Sequence, residues 1–124
     1  MVLAMKNSKS EWEGYILKDY DLVRFPHNML VFHVGCGNGT QLQDLRSRGC
    51  LPIGLDLDMI SLAECRKSGL PVLQDYAEQL PVKDAAFDGL ICKVIIPLTG
   101  ESRTIRENGR VLRAGAAGYL CYHG

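Results

Sequence analysis

The chain has 124 residues, 47% of them hydrophobic, and its 14 basic and 14 acidic residues leave no formal net charge. This balance argues against a nucleic-acid-binding surface, and no apolar run reaches the roughly 20 residues that a membrane span needs. The five cysteines are widely spaced and form no C-x-x-C pair, so we expect reduced thiols and no metal site. We therefore expect one cytoplasmic domain over residues 1–124.

The N-terminal region, residues 1–27, is predicted to contain one amphipathic helix. The stretch EWEGYILKDYDLVRF, residues 11–25, has Trp12, Ile16 and Val23 at roughly helical spacing. Proline removes a backbone donor and clashes with the preceding turn, so this helix should end before Pro26. The core of the domain is expected over residues 28–124.

The core alternates short apolar runs with helical segments. The predicted strands cover residues 29–34, 51–58, 71–75, 87–96 and 116–124. The predicted helices cover residues 40–50, 59–70 and 101–115. Continuous apolar strands that alternate with helices are typical of a parallel sheet covered on both faces. The sequence therefore predicts an α/β fold with a Rossmann-like, doubly wound parallel sheet.

A glycine-rich turn joins the first core strand to its helix in the stretch VFHVGCGNGT, residues 31–40. Ligands of doubly wound sheets bind beyond the carboxyl ends of the strands, and glycine permits positive φ and close approach there. Gly35, Gly37 and Gly39 have the spacing G-x-G-x-G. Dinucleotide-binding turns have G-x-G-x-x-G, so the spacing disfavours a nicotinamide or flavin. From the turn alone, a ligand site and a plain connection both remain open.

Asp56 lies 21 residues after Gly35, at the end of the second core strand. A carboxylate at this point can accept hydrogen bonds from both hydroxyls of a ribose. The alternative role of a helix N-cap suits Asp58 better, because Asp58 immediately precedes the next helix. The glycine turn and Asp56 together predict a nucleoside-type ligand.

Four blocks in order, VFHVGCGNG, GLDLD, QDYAEQLPVKDAAFDGLI and IRENGRVLRAGAAGYL, lie within about residues 28–122. They resemble the signature blocks of class I S-adenosylmethionine-dependent methyltransferases, of the type-11-like group acting on small molecules, lipids and quinones. The resemblance implies strand order 3-2-1-4-5, S-adenosyl-L-methionine as cofactor, and a small-molecule or lipid-like methyl acceptor. Such a site mainly aligns the acceptor and excludes water, so no fixed catalytic residue is expected.

The resemblance also implies the residues that bind the cofactor. The turn would hold the methionine and ribose portions, the segments after the second and third core strands the adenine, and the end of the fourth strand the methionine portion and the acceptor. The implied residues are Gly35, Cys36, Gly37, Gly39, Asp56, Leu57, Met59, Asp75, Tyr76, Ala77, Cys92 and Lys93. Tyr15 or Tyr20, in the leading helix, would close over the cofactor. Lys93 is also a candidate for positioning the acceptor, against the alternative of a lysine that reaches for solvent.

His33 departs from the family pattern, which usually has an aspartate two residues before the first glycine. A neutral imidazole can hydrogen-bond the backbone but supplies no negative charge for the cofactor's ammonium group. We expect a partly buried, hydrogen-bonded histidine, with weakened cofactor binding as the alternative. The fourth strand is followed by no Asn-Pro-Pro-Tyr run, which argues against a nucleic-acid acceptor.

The family's sheet usually has seven strands, the last two forming an antiparallel hairpin beside the fifth, and this chain ends at about the fifth. We expect a truncated form without that hairpin, or a dimer or other partner that covers the fifth strand's edge, because unpaired edges promote aggregation. Two other functions stay open. One is a catalytically inactive methyltransferase-like binding or regulatory module. The other is a nicotinamide-dependent oxidoreductase, which the early third glycine disfavours.

Overall fold

The structure is a computed structural model that describes residues 2–8, 11–17, 25–93 and 101–121. Its strands are β1 (Val2–Ser8), β2 (Glu11–Leu17), β3 (Leu30–Val34), β4 (Leu51–Asp56), β5 (Val72–Gln74), β6 (Phe87–Cys92) and β7 (Leu112–Cys121). Its helices are α1 (Thr40–Ser47), α2 (Met59–Lys67) and α3 (Glu101–Val111). These strands form one sheet in the order β2-β1-β7-β6-β3-β4-β5.

Five of the strands form the parallel sheet that the sequence predicts. Their order β5-β4-β3-β6-β7 is the predicted order 3-2-1-4-5, with each neighbouring pair parallel. β3 pairs with both β4 and β6, so the strand order reverses at β3 and the glycine turn follows directly. The predicted position of the turn at the switch point is therefore confirmed.

Helices cover both faces of the sheet. Val31 of β3 packs in a cluster with Leu45 of α1, whereas the next residue, Phe32, packs with Val111 of α3. Successive side chains of a strand point to opposite faces, so α1 and α3 lie on opposite sides. Phe32 also stacks on Phe87, with ring centroids 4.4 Å apart and the rings almost parallel. This core holds the carboxyl ends of β3 and β6 side by side.

The core elements are all present, with bounds that differ from the predicted ones. The strands and helices mostly end one to four residues earlier than predicted. β7 begins at Leu112, four residues before its predicted start, because the predicted helix over 101–115 stops at Val111. Gly115 in this segment has φ 79°, a backbone conformation that a helix does not contain. The predicted end of the fourth strand, with Pro97, lies outside the described residues.

The N-terminal helix prediction is wrong for residues 11–17. β1 and β2 form an antiparallel hairpin with Val2 opposite Leu17, and β1 also pairs antiparallel with β7. Aromatic and β-branched residues such as Trp12 and Ile16 favour a strand, and the edge of β7 offers backbone groups that need partners. Tyr15 lies in β2, four strands from β3, and Tyr20 lies outside the described residues.

The hairpin also corrects the expectation of an exposed fifth strand. β7 pairs with β6 on one side and with β1 on the other, from Val2 opposite Cys121 to Lys6 opposite Ala117. No dimer or other partner is therefore needed to cover β7. The outer strands of the described sheet are β2 and β5.

Candidate functional site

The glycine turn after β3 has a left-handed backbone at each glycine. The φ angles of Gly35, Gly37 and Gly39 are 80°, 55° and 92°. At Gly39 a Cβ would also lie 2.8 Å from Leu70 Cδ1 and 2.9 Å from Cys65 Sγ, so the turn packs closely on α2. At Gly37 a Cβ would meet no atom within 4 Å, so this glycine faces open space. The turn is therefore tight on its inner side and accessible at its tip.

Hydrogen bonds from the end of β4 fix the shape of the turn. The N–H groups of Gly35 and Cys36 both donate to the Leu55 carbonyl, at 2.7 and 3.0 Å. The N–H of Gly37 donates to Asp56 Oδ2 at 2.8 Å, and the N–H of Asp58 donates to Asp56 Oδ1 at 2.9 Å. The predicted ligand carboxylate thus also holds the turn. Each carboxylate oxygen has a second lone pair and can still accept from a ribose hydroxyl.

Asp58 caps α2, as the sequence predicts. Its carboxylate accepts hydrogen bonds from the Ile60 N–H at 3.3 Å and from the Ser61 hydroxyl at 2.6 Å. The Ser61 hydrogen bond, followed by that of Ile60, lowers the pKa of Asp58. The two neighbouring acids therefore have separate structural roles, and Asp56 is the one that reaches the turn.

A cleft of about 450 Å³ opens beside the turn. Its lining residues are Gly35, Cys36, Gly37, Asn38, Thr40, Gln41 and Lys93. Four of these seven are predicted cofactor residues, whereas Asn38, Thr40 and Gln41 escaped the sequence reasoning. Thr40 and Gln41 open α1, and the first N–H groups of a helix lack intrahelical partners and favour negative groups. Their position directly after the last glycine is the signal that would have found them.

The residues predicted for the adenine lie along the same edge of the sheet, outside this cleft. Leu57 and Met59 are 51% and 69% exposed, and Tyr76 is also exposed. The Gln74 side chain donates to the Leu57 carbonyl at 3.1 Å and so joins the ends of β4 and β5. Ala77 is buried in the core beside these ends.

Asp75 and Cys92 complete the set of predicted residues. Asp75 is half-buried and accepts a hydrogen bond from the Tyr76 N–H at 2.8 Å. Cys92 is buried in the core on the α3 side and does not line the cleft, although the next residue, Lys93, does. The sheet thus places the predicted residues along its carboxyl edge, with one cluster at the turn and a second after β4 and β5.

Arg110 of α3 fixes the loop that follows β5. Its guanidinium donates to the carbonyls of Leu80 and Val82 at 3.0 and 2.9 Å and pairs with Asp84 at 2.8 Å. Glu107 accepts from Arg110 and from the Leu80 N–H, both at 2.8 Å. These contacts give a physical reason for the LPVKD and RENGR segments. Two side chains of RENGR, those of Glu107 and Arg110, bind the LPVKD segment and thereby fix the loop that runs from Asp75 onwards.

His33 differs from its predicted state. The imidazole is fully buried, and neither ring nitrogen has a hydrogen-bond partner within the structure's described residues. Burial, with the positive charge of Lys93 as a second cause, lowers the pKa of His33 to about 3, while Asp56 opposes the shift. The prediction of a partly buried and hydrogen-bonded histidine is wrong, and the ring is neutral at pH 7.

The cysteines near the turn are free thiols. Cys36 and Cys65 both approach the Gly37 carbonyl, with sulfur–oxygen distances of 3.7 and 3.3 Å. Burial, followed by the neighbouring Cys65, raises the pKa of Cys36 to about 12. Thiols protonated in this way pack as small apolar groups and do not act as nucleophiles.

Across the described ranges, no cluster of three or more His, Cys, Asp or Glu side chains is arranged to hold a metal ion. Of the helices described above, none has the length and apolar character required to cross a membrane.

Comparison with known proteins gives a consistent result. A family model described as "Methyltransferase domain" matches residues 32–120, whereas no curated protein matches the chain. Similar solved structures include a Methanosarcina mazei protein described as a SAM-dependent methyltransferase, at 24% identity and TM-score 0.68 over 77% of this chain and 53% of that one. A second is the Haloferax volcanii complex of the Trm112 methyltransferase activator with a putative methyltransferase, at 24% identity and TM-score 0.71 over 78% and 47%.

A third similar structure shows that the same fold is found with another reaction. The [4+2]-cyclase SpnF has 27% identity and TM-score 0.62 over 70% of this chain and 36% of its own. The chain therefore spans about half the length, or less, of the structures that it resembles.

Proposed function

The chain belongs to the methyltransferase-domain family, and on that premise we propose that it transfers a methyl group to a small-molecule or lipid-like acceptor at the cleft beside the glycine turn. Membership of the family implies S-adenosyl-L-methionine as the cofactor. When bound, this cofactor supplies an electrophilic methyl group on a positively charged sulfur. The protein then has to hold the cofactor, align the acceptor and exclude water.

The observation that carries the proposal is the anchoring of the glycine turn by Asp56. The carboxylate sits between the turn and the end of β4 and keeps acceptor capacity for ribose hydroxyls. The open face at Gly37 allows a ligand to approach the backbone closely. Donors at the start of α1 and the carboxylate of Asp56 thus fit the polar ribose and amino-acid parts of the cofactor.

The remaining predicted residues have proposed roles that follow from their positions. Leu57, Met59 and Tyr76 are exposed apolar or aromatic side chains next to the ends of β4 and β5, where they can pack against an adenine ring. We propose that Asp75 accepts a hydrogen bond from the adenine amino group. We propose that Lys93, which lines the cleft, faces the methionine portion and the methyl acceptor.

Isothermal titration calorimetry with S-adenosyl-L-methionine and with NAD tests the proposal. We expect saturable binding of S-adenosyl-L-methionine and none of NAD. Folded, pure protein that gives no saturable heat with S-adenosyl-L-methionine would contradict the proposal. Release of S-adenosylhomocysteine in the presence of small acceptors then measures turnover.

A second candidate is a module that binds the cofactor without turnover. His33 favours it, because a buried neutral imidazole provides no negative charge at a position where the family usually has an aspartate. The same calorimetry would show binding, but no acceptor would yield S-adenosylhomocysteine. Turnover with any acceptor rules this candidate out.

A further inference from the structure

A second cavity, of about 240 Å³, lies between α3 and the loop that follows β5. Its lining residues are Glu78, Gln79, Arg103, Arg106 and Glu107. None of these residues lines the cleft at the glycine turn, and none is among the residues predicted to bind the cofactor. We call this cavity the arginine pocket, and no part of the proposed function uses it.

Two arginines of the pocket have side chains without a partner in the described ranges. Arg103 and Arg106 are three residues apart on α3, a spacing that places two side chains next to each other on a helix. Both residues are exposed, and neither side chain makes a hydrogen bond or an ion pair with any residue that the structure describes. By contrast, Arg110 on the same helix binds two carboxylates and two carbonyls. Two guanidinium groups of the pocket are therefore available to a ligand.

The carboxylates of the pocket already have partners. Glu107 lies one helical turn from Arg103, but its two oxygens accept hydrogen bonds from Arg110 at 2.9 and 2.8 Å. One of these oxygens also accepts from the Leu80 N–H at 2.8 Å. Glu78 has an interaction partner as well. Because Arg110 lies against Glu107 and balances its charge, the two other arginines face one remaining carboxylate, and the pocket has a net positive charge.

From these charges and contacts we infer that the arginine pocket binds a phosphate group, carried by a small phosphorylated molecule or by a lipid headgroup. A guanidinium presents its N–H donors in a planar fork that matches the oxygens of a phosphate, and two neighbouring forks can share one phosphate. The Gln79 amide offers further donors from the loop side of the pocket. The inference goes beyond the proposed methyl transfer and does not depend on it.

A phosphate in the pocket would join two elements of the fold. It would contact the arginines of α3 and the loop residue Gln79, which lies three residues after Tyr76. A ligand that binds the folded chain and not the unfolded chain stabilises the folded state. Occupancy of the pocket should therefore raise the melting temperature, which provides a measurement independent of methyl transfer and of the cofactor.

Three matched probes test the inference: glycerol 3-phosphate, glycerate and glycerol, which share a three-carbon skeleton and differ at one end. Calorimetry on the full chain measures their binding, and thermal melting measures the stabilisation. We expect glycerol 3-phosphate to bind about tenfold more tightly than glycerate, and glycerol not to bind. Co-sedimentation with phosphatidylcholine vesicles, with and without one part in five of phosphatidic acid, tests the lipid source. Binding of the soluble phosphate identifies a small molecule, and binding of the phosphatidic acid vesicles alone identifies a headgroup.

Substitution of each arginine locates the binding. Arg103→Met and Arg106→Met should each weaken binding of the phosphate probe about tenfold, because each removes a charged donor. Arg66→Met is the matched control, since Arg66 is exposed on α2, outside the pocket, and its side chain has no hydrogen bond or ion pair in the described part of the chain. It should leave the affinity unchanged. All three variants should melt like the wild type without ligand, because the substituted side chains are exposed.

The variants are compared with whichever phosphate probe binds the wild type. Three results would overturn the inference. The first is no binding of glycerol 3-phosphate at millimolar concentration together with no preference for phosphatidic acid vesicles. The second is binding of glycerate as tight as that of glycerol 3-phosphate. The third is an affinity that survives both pocket substitutions or falls equally in Arg66→Met.

Discussion

Removal of the Asp56 carboxylate is the most direct test of the site. In Asp56→Ala the N–H groups of Gly37 and Asp58 both lose their acceptors, at present 2.8 and 2.9 Å away. On the proposed role of Asp56, the ribose hydroxyls of the cofactor would lose the same partner. Leaving such groups unpaired costs about 1–3 kcal/mol. We therefore expect the dissociation constant of S-adenosyl-L-methionine to rise by roughly 5- to 150-fold.

The companion variant Asp56→Asn makes the test sharper. The two backbone groups that meet the Asp56 side chain are both donors, and an amide offers one oxygen and one NH₂ group. One N–H would therefore face another donor whichever way the amide is turned. We expect Asp56→Asn to bind almost as weakly as Asp56→Ala, although its size is nearly that of aspartate.

Calorimetric titration and thermal melting of the same samples provide the measurement. Asp58→Ala is the control, because it removes the neighbouring carboxylate and lowers the melting temperature only through loss of the α2 cap. The affinity of Asp58→Ala for the cofactor should stay within about threefold of the wild type, because the Asp58 side chain caps α2 and Asp56 is the acid that reaches the turn. A folded Asp56→Ala protein with unchanged affinity would refute the ribose role.

Three further predictions concern stability, measured by urea unfolding. Lowering the pH from 7 to 5 should lower the free energy of unfolding by about 2 kcal/mol through buried His33, whose folded pKa is about 3. The reason is that the unfolded chain binds a proton below pH 6.5, which the folded chain excludes. His33→Leu should lack this loss, and an equal loss in the variant would contradict the prediction. Arg110→Ala should lower the free energy of unfolding by about 2 kcal/mol, and Arg113→Ala, which removes a more exposed side chain with fewer partners, by less than about 1 kcal/mol. Equal costs would contradict the role of Arg110 in fixing the loop. Gly39→Ala should lower the free energy of unfolding by about 1–3 kcal/mol more than Gly69→Ala does. Both glycines have positive φ, so the backbone strain is similar, but of the two only position 39 has no room for a Cβ. Similar losses would refute this packing argument.

The parallel core could be predicted because its determinants are local. Apolar runs such as the one through Val31 and Phe32, glycine turns, and helix caps such as Asp58 act within a few residues of each other. The exact first and last residues of the strands and helices could not be predicted. The start of β7 at Leu112 depends on pairing with Phe87 in β6, which is distant in the sequence.

The N-terminal hairpin could not be predicted from local signals. The spacing of Trp12 and Ile16 fits one turn of a helix, and the same residues also suit a strand. What favours the strands is the open edge of β7, formed by the last described part of the chain, because β1 pairs with it and in turn pairs with β2. Pairing of Val2 with Cys121 joins positions at opposite ends of the sequence. The secondary structure of this segment is therefore set by a long-range strand pairing, which no short window of the sequence contains.

The electrostatics of the site depend on burial, which motif spacing does not report. The sequence shows that His33 stands where the family usually has an aspartate, and it leaves open whether the ring is hydrogen-bonded or charged. Complete burial, with no hydrogen-bond partner for either ring nitrogen among the described residues, makes the imidazole neutral at pH 7. A lysine at a strand end would ordinarily be read as solvent-directed. The turn, β3 and β6 nevertheless bring Lys93 to the cleft, a position that depends on the pairing of distant strands and that the local sequence does not show.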